Sequence, residues 1–471
     1  MPAAAQVDRA IRLSYAQMML NAVFAASTGG MFLVGFALEL GADNIMLGMM
    51  TAVPSLFVVF QFVSAMLVER GVSRKKLTVV FSLLMPLCWF LVALIPLLKG
   101  SVNGTSRVFV LIGVIAAVTL TGQFVVNARS SWIGELIPQR RRGRFFGRCS
   151  MFAGVVGAMF AIAEGSFLDF IRSHGLLAFT GLFFFGAIFG LVSGALNIPQ
   201  PDCPLPRDES RPSLLRTLGG TFRNRPFARL SVVHAVMALG AIAGPFGTAY
   251  CLRDVGLNFF ELSLLNAAST AAVLLAAPYW GRLVDRFGCR PILLLGLAIS
   301  TPLSAVWIFI PPGAALMAYL LLPWSNFLAG VGSAAASVAI STMMYKTSKP
   351  QGRSVQFAAY SVFITVISAP MPVLGGWLVL HLSKAGYAVD LRLTFYLWSA
   401  FMFAATLLAW GMKEPRAFRT RALVFSYFPS RMARFWGAVT SLSPFFASLM
   451  RFQLPKANGT DGNGTPQDTA K

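Results

Sequence analysis

The sequence predicts an all-α membrane protein in which twelve transmembrane helices form two pseudo-symmetric bundles of six. Three observations point there: apolar residues gathered into long runs, an uneven distribution of lysine and arginine between alternate loops, and landmarks that recur about 216 residues apart.

The apolar content comes first. Of 471 residues, 56% are hydrophobic and only 12% charged, and mean hydropathy is +0.69. A water-soluble chain of this length needs more polar surface than that. The apolar residues fall into runs of about 20 or more, the length a helix needs to cross ~30 Å of hydrocarbon. Twelve such runs can be drawn, at 14–38, 45–68, 77–98, 107–128, 149–170, 176–197, 228–251, 260–283, 291–311, 313–342, 355–381 and 393–412. Pro323 and Gly330 interrupt the tenth. The polar leader Met1–Leu13 is short and has no small-residue cleavage site, so no secretory signal is expected.

A net charge of +22 would suggest nucleic acid in a soluble protein, but here the positions of the bases explain it. With the N-terminus placed in the cytoplasm, 33 of the 39 lysines and arginines fall on that side. Six fall outside: Lys99, Arg107, Arg172, Arg253, Lys384 and Arg392. Loops rich in Lys and Arg stay inside, so both termini are expected in the cytoplasm, which requires an even number of spans. The basicity is a topology signal with added attraction to anionic membrane lipids, and no nucleic-acid partner is expected.

Cys88, Cys149, Cys203, Cys251 and Cys289 are scattered, form no CxxC pair and read as free thiols. His174, His234 and His381 are the only histidines, so neither a metal site nor a haem is expected, and no cofactor motif is present.

The repeat is visible at the loop ends. Gly281-Arg282-Leu283-Val284-Asp285-Arg286-Phe287-Gly288-Cys289-Arg290 follows run eight, and Ala65-Met66-Leu67-Val68-Glu69-Arg70-Gly71-Val72-Ser73-Arg74 follows run two at an offset of 216. Gly41 and Gly256 stand 215 apart between the first two runs of each half, and Gly143-Arg144 and Gly352-Arg353 stand 209 apart. The expected organisation is a first bundle over 1–197, a Pro-rich polar linker over 198–227, a second bundle over 228–412 and a cytoplasmic tail over 413–471.

The decapeptide 281–290 resembles the G-x-x-x-D-R-x-G-x-R signature of the major facilitator superfamily, in its expected place between the second and third helices of a half. The first copy departs from it at Ala65 and Glu69, and Gly71 comes one place early. Trp132-Ile133-Gly134-Glu135-Leu136-Ile137-Pro138 and the following Arg142-Gly143-Arg144-Phe145-Phe146-Gly147 are similar to the helix four to five loop of bacterial members. The resemblance covers about residues 10–412 and implies alternating access by rocking of two halves. It implies a conformational switch at Glu69, Arg70, Arg74, Gly281, Asp285, Arg286, Gly288 and Arg290. In physical terms, Gly281 would let helices approach closely, Asp285 would offer its carboxylate to a helix N-terminus, and Arg286 and Arg290 would anchor the turn at anionic headgroups.

Polar side chains inside apolar runs mark candidate solute contacts, because each costs free energy unless it is satisfied. The resemblance implies that helices one, four, seven and ten line the cavity. Gln17, Asn21 and Thr28 in run one, Gln123 and Asn127 in run four and Asn326 in run ten follow helical spacing and are the candidate cavity wall. The alternative is that such groups bind helices to one another. Glu164 is the one acidic residue well inside a run. Desolvation favours the neutral form of a carboxyl group, so a proton-coupling role is expected there, with a structural pair as the alternative. Arg129 at the edge of run four is the one basic residue that could be recruited, and His234 reads as a structural hydrogen-bonder.

Ala422–Phe452 mixes aromatics with Arg431, Arg434 and Arg451, as an amphipathic segment on the inner leaflet would, and 457–471 has the composition of a disordered end. The expected function is secondary active transport of a small organic solute across the inner membrane, coupled to protons, by a monomer. A drug or lipid exporter on the same fold is the first alternative. A membrane-embedded transferase is the second, although no His, Asp or Cys cluster at an interface would serve it. No G-x-x-x-x-G-K-[ST] loop is present, which disfavours an ATP-driven pump.

Overall fold

The structure is a computed structural model that describes residues 4–98, 103–171, 175–202, 223–348, 353–385 and 390–412. The expectations for the centre of the linker and for the tail beyond 412 lie outside the described residues, as do the Glu69 and Asn127 side chains. All regular structure among the described residues is helical.

Twelve helices are long and apolar enough to cross a membrane: span 1 (Gln6–Glu39), span 2 (Asn44–Val68), span 3 (Arg74–Leu97), span 4 (Gly104–Ser130), span 5 (Arg144–Phe170), span 6 (Leu176–Ala195), span 7 (Arg225–Val255), span 8 (Phe259–Phe287), span 9 (Cys289–Phe309), span 10 (Ala315–Thr347), span 11 (Ala359–Lys384) and span 12 (Arg392–Trp410). Each overlaps one of the twelve sequence runs. Some helices continue past the hydrocarbon stretch: the helix of span 5 begins at Gln139, so the basic segment that follows Pro138 is helical. Beyond the bilayer, water solvates the charged side chains while the backbone ladder continues, so apolarity alone underestimates helix length. Span 10 is unbroken from Ala315 to Thr347 despite Pro323 and Gly330. Gly330 lies where a Cβ would meet the Ser269 carbonyl and Ala272, so it serves close packing on span 8.

With an even number of spans, the described ends of span 1 and span 12 share one face, called here the terminal face. The 1–2, 5–6, 7–8 and 11–12 turns lie at the opposite face. The sequence repeat has a geometric counterpart. Gly41 and Gly256 have φ +91° and +86°, and Gly71 and Gly288 both have φ +96°. A side chain is strained at such angles, so each landmark turn keeps a glycine. The early Gly71 builds the same left-handed turn as Gly288. Span 1 breaks at Gly29 and Gly30, and span 7 breaks over Leu239–Ala243 into 3₁₀ geometry before Pro245 and closes as a π-helix over Tyr250–Val255. An offset of 215 places the two breaks on each other.

Packing defines the two sets. Spans 1, 5 and 6 pack together and span 3 packs on both 4 and 6; in the second set, 8, 9 and 10 pack together and 9 lies against 12. The sets meet mainly through two antiparallel pairs, span 5 with span 8 and span 2 with span 11, with smaller contacts of the second part of span 1 on spans 7 and 8. These two crossings position everything functional described below.

Candidate functional site

The inter-set crossings are closest near the opposite face, where small residues allow it. A Cβ at Gly48 would collide with the Pro372 carbonyl, one at Gly376 with the Asn44 carbonyl, and one at Gly165 with Ser263 Oγ. Phe259 at the start of span 8 packs on Phe32 and Phe179, with ring centroids 6.0 Å and 5.6 Å away.

The polar contact that completes this closure is made by Asp169 near the end of span 5. The N-terminus of span 8 has four backbone N–H groups to satisfy. Asn258 caps it: its side chain accepts from Glu261 N at 2.9 Å, and Glu261 accepts from Asn258 N at 2.8 Å. The two remaining donors, Phe259 N and Phe260 N, bond the two oxygens of Asp169 at 3.1 Å and 2.8 Å. A carboxylate from one set thus occupies the positive end of a helix in the other. Met31 of span 1 adds sulfur contacts from Ser263 Oγ at 3.8 Å and Asn266 Nδ2 at 3.5 Å.

One turn before Asp169, Glu164 is buried at 5% exposure. Its Oε1 lies 2.5 Å from Ser27 Oγ, and Ser27 Oγ also lies 2.9 Å from the Val23 carbonyl. A hydroxyl has one proton and a carbonyl only accepts. Ser27 donates in both contacts, sharing its proton between the Glu164 carboxyl oxygen and the Val23 carbonyl. Its Oε2 is buried with no hydrogen-bond partner among the described residues. Glu164 faces neither bulk solvent nor the lipid surface.

A cavity of about 310 Å³ lies within the second set. The broken stretch of span 7 supplies one side with Gly240, Gly244, Gly247 and Thr248; Asn266 of span 8 and Asn326 of span 10 supply amides; Trp307, Phe395 and Trp398 supply aromatic walls. The Trp307 and Phe395 rings are 5.4 Å apart and tilted by 50°. Trp398 lies against Gly240, where a Cβ would be only 2.5 Å from the indole.

Of the residues expected to line a cavity, Asn326 does so. Gln17 is buried at 5% exposure and donates from Nε2 to Ser193 Oγ at 2.9 Å, tying span 1 to span 6. Thr28 bonds its own helix at the Phe24 carbonyl, 2.6 Å away, and packs near Gly186 of span 6. Gln123 accepts from Gln61 Nε2 at 2.7 Å, bridging spans 2 and 4. Asn21 is exposed. Arg129 donates to Met18 Sδ at 3.3 Å, and no described carboxylate lies within ion-pair distance of it. His234 Nδ1 is 2.6 Å from the Tyr360 hydroxyl, joining spans 7 and 11.

At the terminal face, the loop residues adopt different partners from those expected. Arg74, 3% exposed, pairs with Glu135 at 2.6 Å, and its repeat counterpart Arg290 donates to the Trp410 carbonyl at 2.6 Å. Both bind helix ends of their own set. Arg286 lies over the Phe287 ring at 5.3 Å. Asp285 and Arg70 are exposed. A Cβ on Gly281 would meet nothing within 4 Å, so the close approach expected there is not made. The reason is geometric: spans 5 and 8 are pinned together at the opposite face by Gly165 and Asp169.

The Major Facilitator Superfamily model matches residues 15–251 and 230–454. The chain belongs to the major facilitator superfamily. Among solved structures, the transporter resembles the nucleoside transporter NupG, with TM-score 0.64 at 12% identity, covering 86% of this chain and 100% of that one. It resembles a bacterial homologue of the human lysosomal transporter Spinster to the same TM-score of 0.64, at 15% identity over 88% and 100% of the two chains. A POT family transporter in complex with a thioalcohol-conjugated peptide gives TM-score 0.62 at 15% identity over 85% and 95%. No curated protein matches the sequence. At these identities the likeness carries the fold alone.

The cavity residues Thr248, Asn266, Trp307 and Trp398 and the closing residue Asp169 escaped the sequence reading. Asn258-x-x-Glu261 is legible as a helix start, but that Asp169 caps it follows only once span 5 is known to cross span 8.

Proposed function

We propose that the transporter moves a small organic solute by alternating access, coupled to a proton carried by Glu164, with both termini in the cytoplasm. The observation that supports this most is the placement of a buried carboxyl group on span 5, the same helix that closes the opposite face through Asp169. Rocking the two sets breaks the span 5–span 8 and span 2–span 11 contacts at that face and brings the terminal-face ends together. There Glu69 would find the helix N-terminus near 352–357, and Asp285 the N-terminus of the span 5 helix, which lies at Gln139 and not at 143–149 as the loop pattern suggests, in the manner Asp169 shows at the opposite face. The positive-inside distribution supports a cytoplasmic terminal face. Export of an apolar compound is the second reading, favoured by the aromatic walls of the cavity, though its two asparagines suit a solute with hydrogen-bonding groups.

The test is a solute panel in proteoliposomes with and without a pH difference, comparing the native transporter with Glu164→Gln. The variant keeps the shape and fixes the neutral state, so exchange of solute should survive while accumulation driven by a pH difference fails. A Glu164→Gln protein that still concentrates its solute in response to the pH difference would overturn the coupling role.

A further inference from the structure

We propose that the second-set cavity binds a neutral, planar heteroaromatic solute bearing an amide-type edge, an inference that rests on the transport reading above and names the substrate class for it. Three features of the cavity argue for this class.

The first is charge. None of the residues lining the cavity is ionisable. A carboxylate, phosphate or ammonium group moved out of water into this space would find no counter-charge, and burying an unpaired charge is far costlier than burying a satisfied polar group. The solute is therefore uncharged.

The second is shape. Trp307 and Phe395 form a tilted pair on one side, and Trp398 stands on the backbone of span 7 at Gly240. Gly247 lies opposite Trp307, with a built Cβ 3.8 Å from the indole edge. The glycines let the indole edges sit directly on the interrupted helix, which leaves a slot walled by the three rings. Flat aromatic solutes fill such a slot with offset or edge-to-face contacts, each about 0.5–1.5 kcal/mol beyond area burial. The volume of about 310 Å³ lies at the small end of the roughly 300–1,000 Å³ range of ligand pockets, which suits one or two fused rings.

The third is the polar edge. Asn326 Nδ2 spends one hydrogen on the Leu322 carbonyl at 2.9 Å. That leaves its second N–H and its carbonyl oxygen for a solute. Among the described residues the Asn266 side chain makes only the weak sulfur contact with Met31, leaving its Oδ1, while its backbone carbonyl accepts from Thr270. A carboxamide is at once donor and acceptor, so the two together complement a solute edge that also carries both, as a lactam or a carboxamide on a ring does. A site built on such groups rejects analogues lacking them, because its own polar atoms are left unpaired. Because Asn266 also touches span 1, a solute bonded to it is sensed across both sets.

The experiment is a thermal-shift and binding screen of the purified full-length transporter against three matched sets: neutral monocyclic and bicyclic lactams and carboxamides such as uracil and nicotinamide, their ring carboxylates such as nicotinate, and neutral cyclic polyols. Ligands of the folded state raise its melting temperature by mass action. Stabilisers are expected in the first set alone. Their affinity should fall at least tenfold in Asn326→Leu and in Gly240→Ala, whose Cβ displaces the Trp398 ring without removing any lining group. Trp398→Phe should retain part of the binding, which separates loss of the slot from loss of the fold. Hits confined to the carboxylates or the polyols, or no hit in any set, overturn the substrate class. Hits in the first set unaffected by both variants overturn the site. The transport reading fails separately, if no solute in the broader proteoliposome panel exchanges across the membrane.

Discussion

Replacing Asp169 by Asn should loosen the opposite face by a calculable amount. In the closed structure the carboxylate accepts from Phe259 N at 3.1 Å and from Phe260 N at 2.8 Å, while Asn258 and Glu261 satisfy the neighbouring donors. Asparagine keeps one acceptor oxygen and turns an NH₂ group toward the other donor, so one bond and the negative charge at the helix N-terminus are lost. Hydrogen bonds to a charged group are worth about 1.5–3 kcal/mol. The Phe260 contact is solvent-exposed, which lowers the effect to roughly 1–2 kcal/mol. That corresponds to a factor of about 5–30 in the ratio of open to closed forms. The assay is maleimide labelling of a cysteine at Met31, which is 7% exposed and contacts Ser263 and Asn266 behind the closure. The native cysteines are replaced, and the reagent is applied to each side of proteoliposomes in turn. When reclosing outpaces labelling, the rate follows the open population, so Asp169→Asn should label about 5–30-fold faster from the opposite face. A rate within twofold of the parent would refute the assignment of closure to this carboxylate.

Gly376→Ala should impede closure more than Asp169→Asn, because its Cβ collides with the rigid Asn44 backbone; the Met31 cysteine should label faster still, and parent-like labelling would show that spans 2 and 11 do not need that approach. Arg74→Gln removes one partner of the pair with Glu135, which is 43% exposed, so the loss should stay near 1–2 kcal/mol and appear as a fall of about 1–2 °C in melting temperature for a chain of this length; an unchanged melting point would count against the pair. Cysteines placed at 255–258 should react with an impermeant reagent in intact cells and cysteines at 205–215 should not, and labelling of the latter from outside would reverse the proposed topology.

The spans and their repeat were legible because they rest on properties local to the sequence. Apolar runs mark the twelve helices, and a glycine at Gly41, Gly71, Gly256 and Gly288 marks a turn whatever surrounds it. The broken stretch of span 7 was less visible, since Gly240, Gly244 and Pro245 lie in a run as apolar as its neighbours. Helical spacing of polar residues found Asn326, but it cannot say which way a stripe faces. Gln17 and Thr28 obey the same spacing and turn toward span 6, because a buried amide or hydroxyl is satisfied as well by a neighbouring helix as by a solute. Asp169 was illegible for a different reason: its partners, Phe259 N and Phe260 N, are backbone groups ninety residues away, and no pattern in either segment announces the other.

Span 5 is what joins proton and gate on the proposed mechanism. Glu164 faces span 1 at Ser27, in its own set, while the adjacent Gly165 and the later Asp169 face span 8 in the other. Successive residues on a helix point about 100° apart, so one helix can hold both neighbours at once. Opening the opposite face separates span 5 from span 8 and leaves span 5 on span 1. The Glu164–Ser27 contact is therefore carried through the motion, whereas the seal that Ser263 and Phe259 make on Gly165 is not. On the proposed coupling, a proton reaches or leaves Glu164 from that face once this seal parts. On that proposal the parting of this seal decides when the carboxyl group can exchange its proton, and one helix carries both the proton site and the gate.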